Sequence, residues 1–275
     1  MSTKTKLHLC ILLLTCSTSH AQSLYYRSPS SIGMGGTGIT QTDVWSAILN
    51  PAGTTHIKNS SFATGYLLPY FTQELSHKSI IATLPTKLGV ISSSLNHFGY
   101  RLYHETQINF NYARSITPNF SFSFSLHIQN NHIANTGSGQ QVYSGIGILY
   151  NISENLSFGT TITNPEKTRI KIGEEKIEIP TFFITGLSWK PNSTFTINTE
   201  LEKQSGLKSL VKLGLNYNIH KQIWIKTGIL GKPVNYTMGM GVKFNDLKID
   251  TGISHDQTLG ISSGIGLSFV IPENK

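Results

Sequence analysis

Phe120-Ser121-Phe122-Ser123-Phe124-Ser125-Leu126-His127-Ile128-Gln129 alternates apolar and polar residues without a break. A two-residue period sends successive side chains to opposite faces of a strand, so Phe120, Phe122, Phe124, Leu126 and Ile128 share one face. Helical spacing would scatter them around a cylinder. The same period recurs on both sides of this stretch. Ile108, Phe110 and Tyr112 oppose Gln107, Asn109 and Asn111, and Val211, Leu213, Leu215 and Tyr217 oppose Lys212, Gly214 and Asn216. Tyr236, Met238, Met240, Val242 and Phe244 oppose Thr237, Gly239, Gly241 and Lys243.

From Ser61 to Ile271 the pattern predicts about fourteen strands, roughly 61–70, 76–84, 87–97, 103–115, 119–132, 142–153, 156–164, 180–190, 194–203, 208–218, 222–231, 236–245, 247–255 and 260–271. Many are about ten residues long, which at roughly 3.3 Å per residue and a tilt near 40° reaches about 25 Å, the height of an outer-membrane apolar band. Tight turn signals follow the even-numbered strands: Pro85-Thr86, Thr117-Pro118, Ser153-Glu154-Asn155, Pro191-Asn192-Ser193, His220-Lys221 and Asn245-Asp246. Asn131 to Gln141, rich in Gly, Ser and Asn, and the charged stretch Asn164 to Ile179 read as longer loops after odd-numbered strands. Short turns at one end and longer loops at the other is the asymmetry of a transmembrane antiparallel barrel.

A soluble β-sandwich or propeller shares the period but turns its polar face outward. Here the polar face is mostly Ser, Thr, Asn, Gln and Gly, and charged residues make up 13% of the chain, about half the share usual for a soluble domain. That composition favours an all-β, up-and-down barrel with its apolar face turned to lipid.

The N-terminus adds an export reading. Lys4 and Lys6 precede the apolar run Leu7 to Cys16, and Ser19-His20-Ala21 follows with small residues at a peptidase site, so 1–21 reads as a cleaved signal peptide. Leu13-Leu14-Thr15-Cys16 also resembles a lipid-attachment box, with Thr an unusual residue before the Cys. No later segment approaches twenty uninterrupted apolar residues, so no spanning helix is expected. Cys10 and Cys16 are the only cysteines, which leaves the chain after the signal without a disulfide, a thiol nucleophile or a thiolate metal site. The net charge of +8 falls to +6 without Lys4 and Lys6. No basic cluster with interleaved aromatics marks a nucleic-acid surface.

Residues 22–57 break the alternation and are expected to form a plug, with the barrel over 58–275. The segment holds Gly33-Met34-Gly35-Gly36-Thr37-Gly38, then Thr42-Asp43-Val44-Trp45-Ser46-Ala47-Ile48-Leu49, then Asn50-Pro51-Ala52-Gly53. Asp43 can cap a short helix carrying Val44, Trp45, Ile48 and Leu49, which Pro51 and Gly53 end. Gly33, Gly35 and Gly36 permit close backbone packing or positive φ. One or two turns of helix are not stable alone and need surrounding structure.

Gly-Met-Gly-Gly, a short helix, Asn-Pro-Ala-Gly and about fourteen strands together resemble the FadL/PorV superfamily of outer-membrane barrels. The motif covers some twenty residues, although the architecture spans nearly the whole chain after the signal. The resemblance implies an N-terminal hatch within the barrel, and its Trp-containing helix looks closer to the PorV/PorQ branch, components of type IX secretion. It also implies, as the other branch, channels for hydrophobic compounds such as fatty acids. Two departures weigh against fatty acids: the acidic pair that often follows the glycines is reduced to Asp43, and no long surface loops build a capturing groove. The chain ends Pro272-Glu273-Asn274-Lys275, so Phe269 would replace the terminal aromatic of a barrel-insertion signal.

Chemistry is sparse. Gly33, Gly35 and Gly38 can be forced into a Gly-x-Gly-x-x-Gly match, but no βαβ unit surrounds them. The histidines lack metal-ligand spacing, and no Gly-x-Ser-x-Gly elbow occurs. No catalytic residue, metal or cofactor is expected. The lumen should hold Glu200, Glu202, Lys212, Lys226, Lys243, Lys248 and Asp250, either as a selectivity lining or as mutually paired charges inside a filled barrel. Tyr70, Phe71, Tyr100, Tyr103, Trp189 and Trp224 lie near strand ends and are expected in interfacial girdles. The sequence and the resemblance together predict an outer-membrane barrel of a Gram-negative bacterium that acts in export or transport as a secretion-machinery-associated, type IX-like component, with a channel for hydrophobic small molecules such as fatty acids as the alternative. Its expected partners are outer-membrane lipid and lipopolysaccharide, with secretion proteins or cargo, or a hydrophobic ligand, as alternatives. A structural barrel with a sealed lumen is the remaining reading.

Overall fold

A computed structural model describes residues 28–231 and 233–272. The expected signal peptide and the last three residues lie outside them. Sixteen strands run in chain order: β1 Ser61–Leu68, β2 His77–Thr86, β3 Gly89–Gly99, β4 Tyr103–Thr117, β5 Phe120–Ile133, β6 Gly137–Ser153, β7 Leu156–Thr163, β8 Arg169–Ile172, β9 Glu175–Glu178, β10 Phe182–Trp189, β11 Phe195–Gln204, β12 Leu210–His220, β13 Ile223–Leu230, β14 Asn235–Phe244, β15 Leu247–Asp256 and β16 Gly260–Val270. Fourteen of them form one closed barrel, each paired with its neighbours, and β8 and β9 form a separate two-stranded hairpin. Every barrel pairing is antiparallel, and β1 against β16 closes the wall with Ser61 opposite Val270.

The wall is polar inside and apolar outside. Along β5, Ser121, Ser123 and Ser125 are buried while Phe122, Phe124 and Leu126 are exposed. On β3 and β4 the buried polar side chains are Ser92, Ser94, Asn96, Gln107, Asn109 and Asn111, and the exposed ones include Ile91, Leu95, Ile108 and Phe110. A soluble barrel would show the opposite arrangement, so burial settles what periodicity alone left open. No helix among the described residues is long and apolar enough to cross a membrane, which has no bearing on strands.

One loop expectation needs correction. Asn131 to Gln141 is not a long loop, because β5 and β6 continue their ladder to Ile133 opposite Gly137 around a tight turn. Polar composition marked that stretch as loop, but a strand rising beyond an apolar band has no need of an apolar face. Asn164 to Ile179 is a long connection, as expected, between the barrel neighbours β7 and β10. It folds as the β8–β9 hairpin, with Arg169 opposite Glu178 and Ile170 opposite Ile177. Its inner side buries Ile170, Ile172 and Ile179 with Tyr143.

The girdle also differs from expectation. Phe71, Tyr100 and Trp189 are exposed, but Tyr103 and Trp224 turn inward. Tyr103 shares parity with Glu105 and Gln107 and hydrogen-bonds Glu105. Trp224 shares parity with Lys226 and donates its indole N–H to Asp250 at 3.0 Å. Proximity to a strand end ignored parity, which decides the face. On the turn side, the exposed aromatics include Phe62, Tyr112, Tyr150, Trp189, Phe195, Phe244 and Phe269.

Candidate functional site

Residues 28–57 fill the lumen. Ser28 starts a single helical turn, Pro29–Ile32, by accepting a hydrogen bond from the Ser31 amide. The chain then reverses through Gly35 (φ 66°) and Gly36 (φ 72°), a conformation that glycine adopts without strain. Asp43 accepts from the Trp45 amide at 2.9 Å and so leads into the Ser46–Leu49 turn. The helix is thus only one turn long. Asn50, fully buried, holds three directions at once: its Oδ1 accepts from the Ala52 amide, and its Nδ2 donates to the carbonyls of Ile39 and Ile148 at 2.8 and 2.9 Å. Pro51 opens the 3-10 turn Pro51–His56. At Gly53 a side chain would collide with the Gln41 carbonyl.

This plug touches every strand of the barrel. Trp45, 1% exposed, packs with Val44 and Ala47 against Ala63 of β1 and Ile81 of β2. The Ser46–Leu49 and Pro51–His56 turns lie against β3. Asn111 of β4 donates to the Ala47 carbonyl, Thr55 meets Ser121 of β5, and Asn50 reaches β6. From β7 round to β16 and β1 the contact is largely backbone against glycine. Gly159 and Gly186 face Ile39, Gly214 faces Met34, Gly228 faces Gly35, Gly239 and Gly252 face Gly33, and Gly266 and Gly65 face Trp45 and Pro29. These wall glycines pair across the ladder, Gly159 with Gly186, Gly214 with Gly228, Gly239 with Gly252 and Gly65 with Gly266. A Cβ on Gly252 would stand 2.7 Å from the Gly33 nitrogen, so the belt exists to let the plug backbone reach the wall.

Charge fastens the same side. Glu200 accepts from the amides of Gly38 and Ile39 at 2.5 and 2.6 Å. Lys212 donates to the Gly36 carbonyl at 3.2 Å and pairs with Glu202 at 2.6 Å and Glu200 at 3.7 Å. Lys226 donates to the carbonyl and hydroxyl of Ser30 at 3.0 and 2.9 Å and pairs with Asp250 at 2.6 Å. All five side chains are buried. Removed from water, such charges must be paired and hydrogen-bonded, and here plug backbone completes each set. Of the seven lumen charges expected from sequence, these five come together. Lys248 lies at the turn-side mouth, and Lys243 is exposed at the rim, its inward parity overridden by its place one residue before the end of β14.

The plug separates two cavities. One of about 410 Å³ opens on the turn side, lined by Asn198, Asn216, Trp224, Lys248 and plug residues Thr40 and Asp43. The other, about 280 Å³, lies on the loop side between the plug residues Ile48, Leu49 and Pro51 and the β8–β9 hairpin. Sequence reasoning missed the glycine belt and this second cavity. The belt had a signal: glycines recur at inward positions of neighbouring strands. The cavity had none, because the hairpin that roofs it read as loop. Among the described residues no three His, Cys, Asp or Glu side chains gather as a metal site.

No family model matches the chain, and no curated protein matches its sequence. Solved structures do. The P. putida toluene transporter TodX superposes with a TM-score of 0.70 at 11% identity, covering 91% of this chain and 100% of that one. A Pseudomonas aeruginosa FadL homologue gives 0.60 at 10% identity, covering 88% and 96%. By its fold, then, the chain is similar to TodX and to a FadL homologue: a closed antiparallel barrel of fourteen strands.

Proposed function

We propose that the protein is an outer-membrane transport barrel for small molecules, closed at rest by residues 28–57 and opened by movement of that segment. The observation that carries this reading is the inverted burial of the wall. An apolar exterior of this extent is unstable in water and matched to lipid, whereas a lumen lined by Ser, Asn and paired charges is suited to a hydrated or substrate-bearing path. The cavities on opposite sides of the plug supply an entrance and an exit. The likeness to a toluene transporter adds weight at the level of fold.

A narrower role beside secretion machinery rests on the Gly33-Met34-Gly35-Gly36 spelling, and the contact of the plug with all fourteen strands is compatible with it. Such a lumen suits a docking component as well as a gated channel. Gentle extraction followed by mass spectrometry separates the two, since the channel reading expects no stoichiometric protein partner.

The reading is tested by a heat-modifiable band on a mild detergent gel and by solute uptake into liposomes. The full chain should migrate faster unboiled than boiled, and deleting Gly33 to Gly53 should raise uptake of small solutes while the unboiled band remains. Identical migration in both states, or unchanged uptake by a folded deletion variant, would overturn it.

A further inference from the structure

Resting on the transport reading, the loop-side cavity indicates what the barrel recognises. Its polar wall is built from β3 to β7, and the amide and phenol donors of β4, β5 and β6 are largely spent. Gln107 donates to the Tyr143 hydroxyl, which donates in turn to Gln129 at 2.9 Å. Gln129 donates to Asn131 at 2.9 Å and more weakly to Glu105 at 3.4 Å. The Tyr103 hydroxyl donates to Glu105. His127 Nδ1 lies 2.6 Å from Asn109 Oδ1. Because that oxygen can only accept, Nδ1 carries the proton and Nε2 of the neutral ring is left as an acceptor.

Besides the rotatable hydroxyls of Ser125, Thr161 and Thr163, what remains available is acceptor capacity. Asn96 is 1% exposed, lines the cavity, and has an Oδ1 with no hydrogen-bond partner. A buried acceptor without a partner costs about 1–3 kcal/mol and calls for a donor. Glu105 has lone pairs beyond the two bonds it accepts, and Glu178 adds a second carboxylate to the lining. Among the described residues no Lys or Arg lines the cavity. Facing this wall are Ile48 of the plug, Ile170 and Ile177 of the hairpin, and Phe182.

We infer that the loop-side cavity binds a compact organic amine, its nitrogen donating toward Asn96 and Glu105 and its hydrocarbon body lying against Ile48, Ile170 and Phe182. Glu105, with no Lys or Arg in the lining, disfavours a carboxylate ligand at this position.

The test is isothermal titration of the full chain in lipid nanodiscs with phenethylamine and with phenylacetate, which share a body and differ in the sign of the head. Phenethylamine should bind at least about tenfold more tightly. Glu105→Gln and Asn96→Leu should each weaken it by about tenfold, with the unboiled gel band confirming a folded barrel. Equal binding of phenylacetate, absence of binding by either compound, or full phenethylamine binding by folded Glu105→Gln would overturn the inference. If amine binding fails while deletion of Gly33 to Gly53 still raises solute uptake, the ligand class falls and the transport reading stands. If neither is observed, both fall.

Discussion

At the scale of single residues, the plug is held by two devices of different physics. The Lys226 ammonium joins Asp250 on the wall to Ser30 on the plug. Lys226→Met keeps the volume but strands the Asp250 carboxylate, so the variant is expected to lose about 3–5 kcal/mol of stability. It should also raise solute uptake, and chemical denaturation with the liposome assay checks both; an unchanged variant would mean that the pair plays no part in seating the plug. The glycine belt works by absence of atoms. Gly252→Val places a better strand former in β15, yet its side chain would meet the Gly33 nitrogen and Ile32. The expected result is raised uptake with an intact unboiled band, and no further effect when the plug is already deleted. Glu200, Glu202, Lys212, Lys226 and Asp250 are buried, and strand parity gives all five to the inner face. It could not say that they grip Gly36, Gly38, Ile39 and Ser30, because contacts across some 160 to 200 residues leave no local pattern.

At the scale of elements, the strands were legible and the β8–β9 hairpin was not. A barrel strand shows its period because one face meets the exterior and the other the lumen, whereas the hairpin's outer side is exposed along β9, whose residues give no contrast. Its position is fixed from the flanks. Buried Asn164 donates to the Ile179 carbonyl at 2.7 Å and accepts from the amide and hydroxyl of Thr168. Glu166 binds the Ser144 amide at 3.0 Å and the Ser144 hydroxyl. Partial burial would raise the Glu166 carboxyl, but these hydrogen bonds outweigh it and hold the carboxyl below its ordinary value of 4.5. A depressed folded-state pKa means that this anchor acts fully above the ordinary value and is lost as pH falls through the depressed one. Hydrogen exchange over residues 169–178 should therefore quicken, relative to the barrel strands, as pH falls below the ordinary value of 4.5, and Glu166→Gln should remove that pH dependence. A hairpin equally protected at pH 3 and pH 7 would contradict the anchor.

For the whole molecule, the central claim is that the apolar face of the wall meets lipid and the polar face meets the plug. The decapeptide from Phe120 to Gln129 already carried that alternation, and burial supplied its sense. Nitroxide labels report the sense directly. Single cysteines at Ser123, Phe124, Ser125 and Leu126, with Cys10 and Cys16 replaced by serine, would be labelled and the protein reconstituted in lipid bilayers. Labels at Phe124 and Leu126 are expected to collide strongly with dissolved oxygen, which concentrates in the hydrocarbon, and weakly with a water-soluble nickel chelate. Those at Ser123 and Ser125 should be shielded from oxygen and motionally restricted. The reverse alternation, or free access of the chelate to Phe124 and Leu126, would contradict a membrane-spanning barrel.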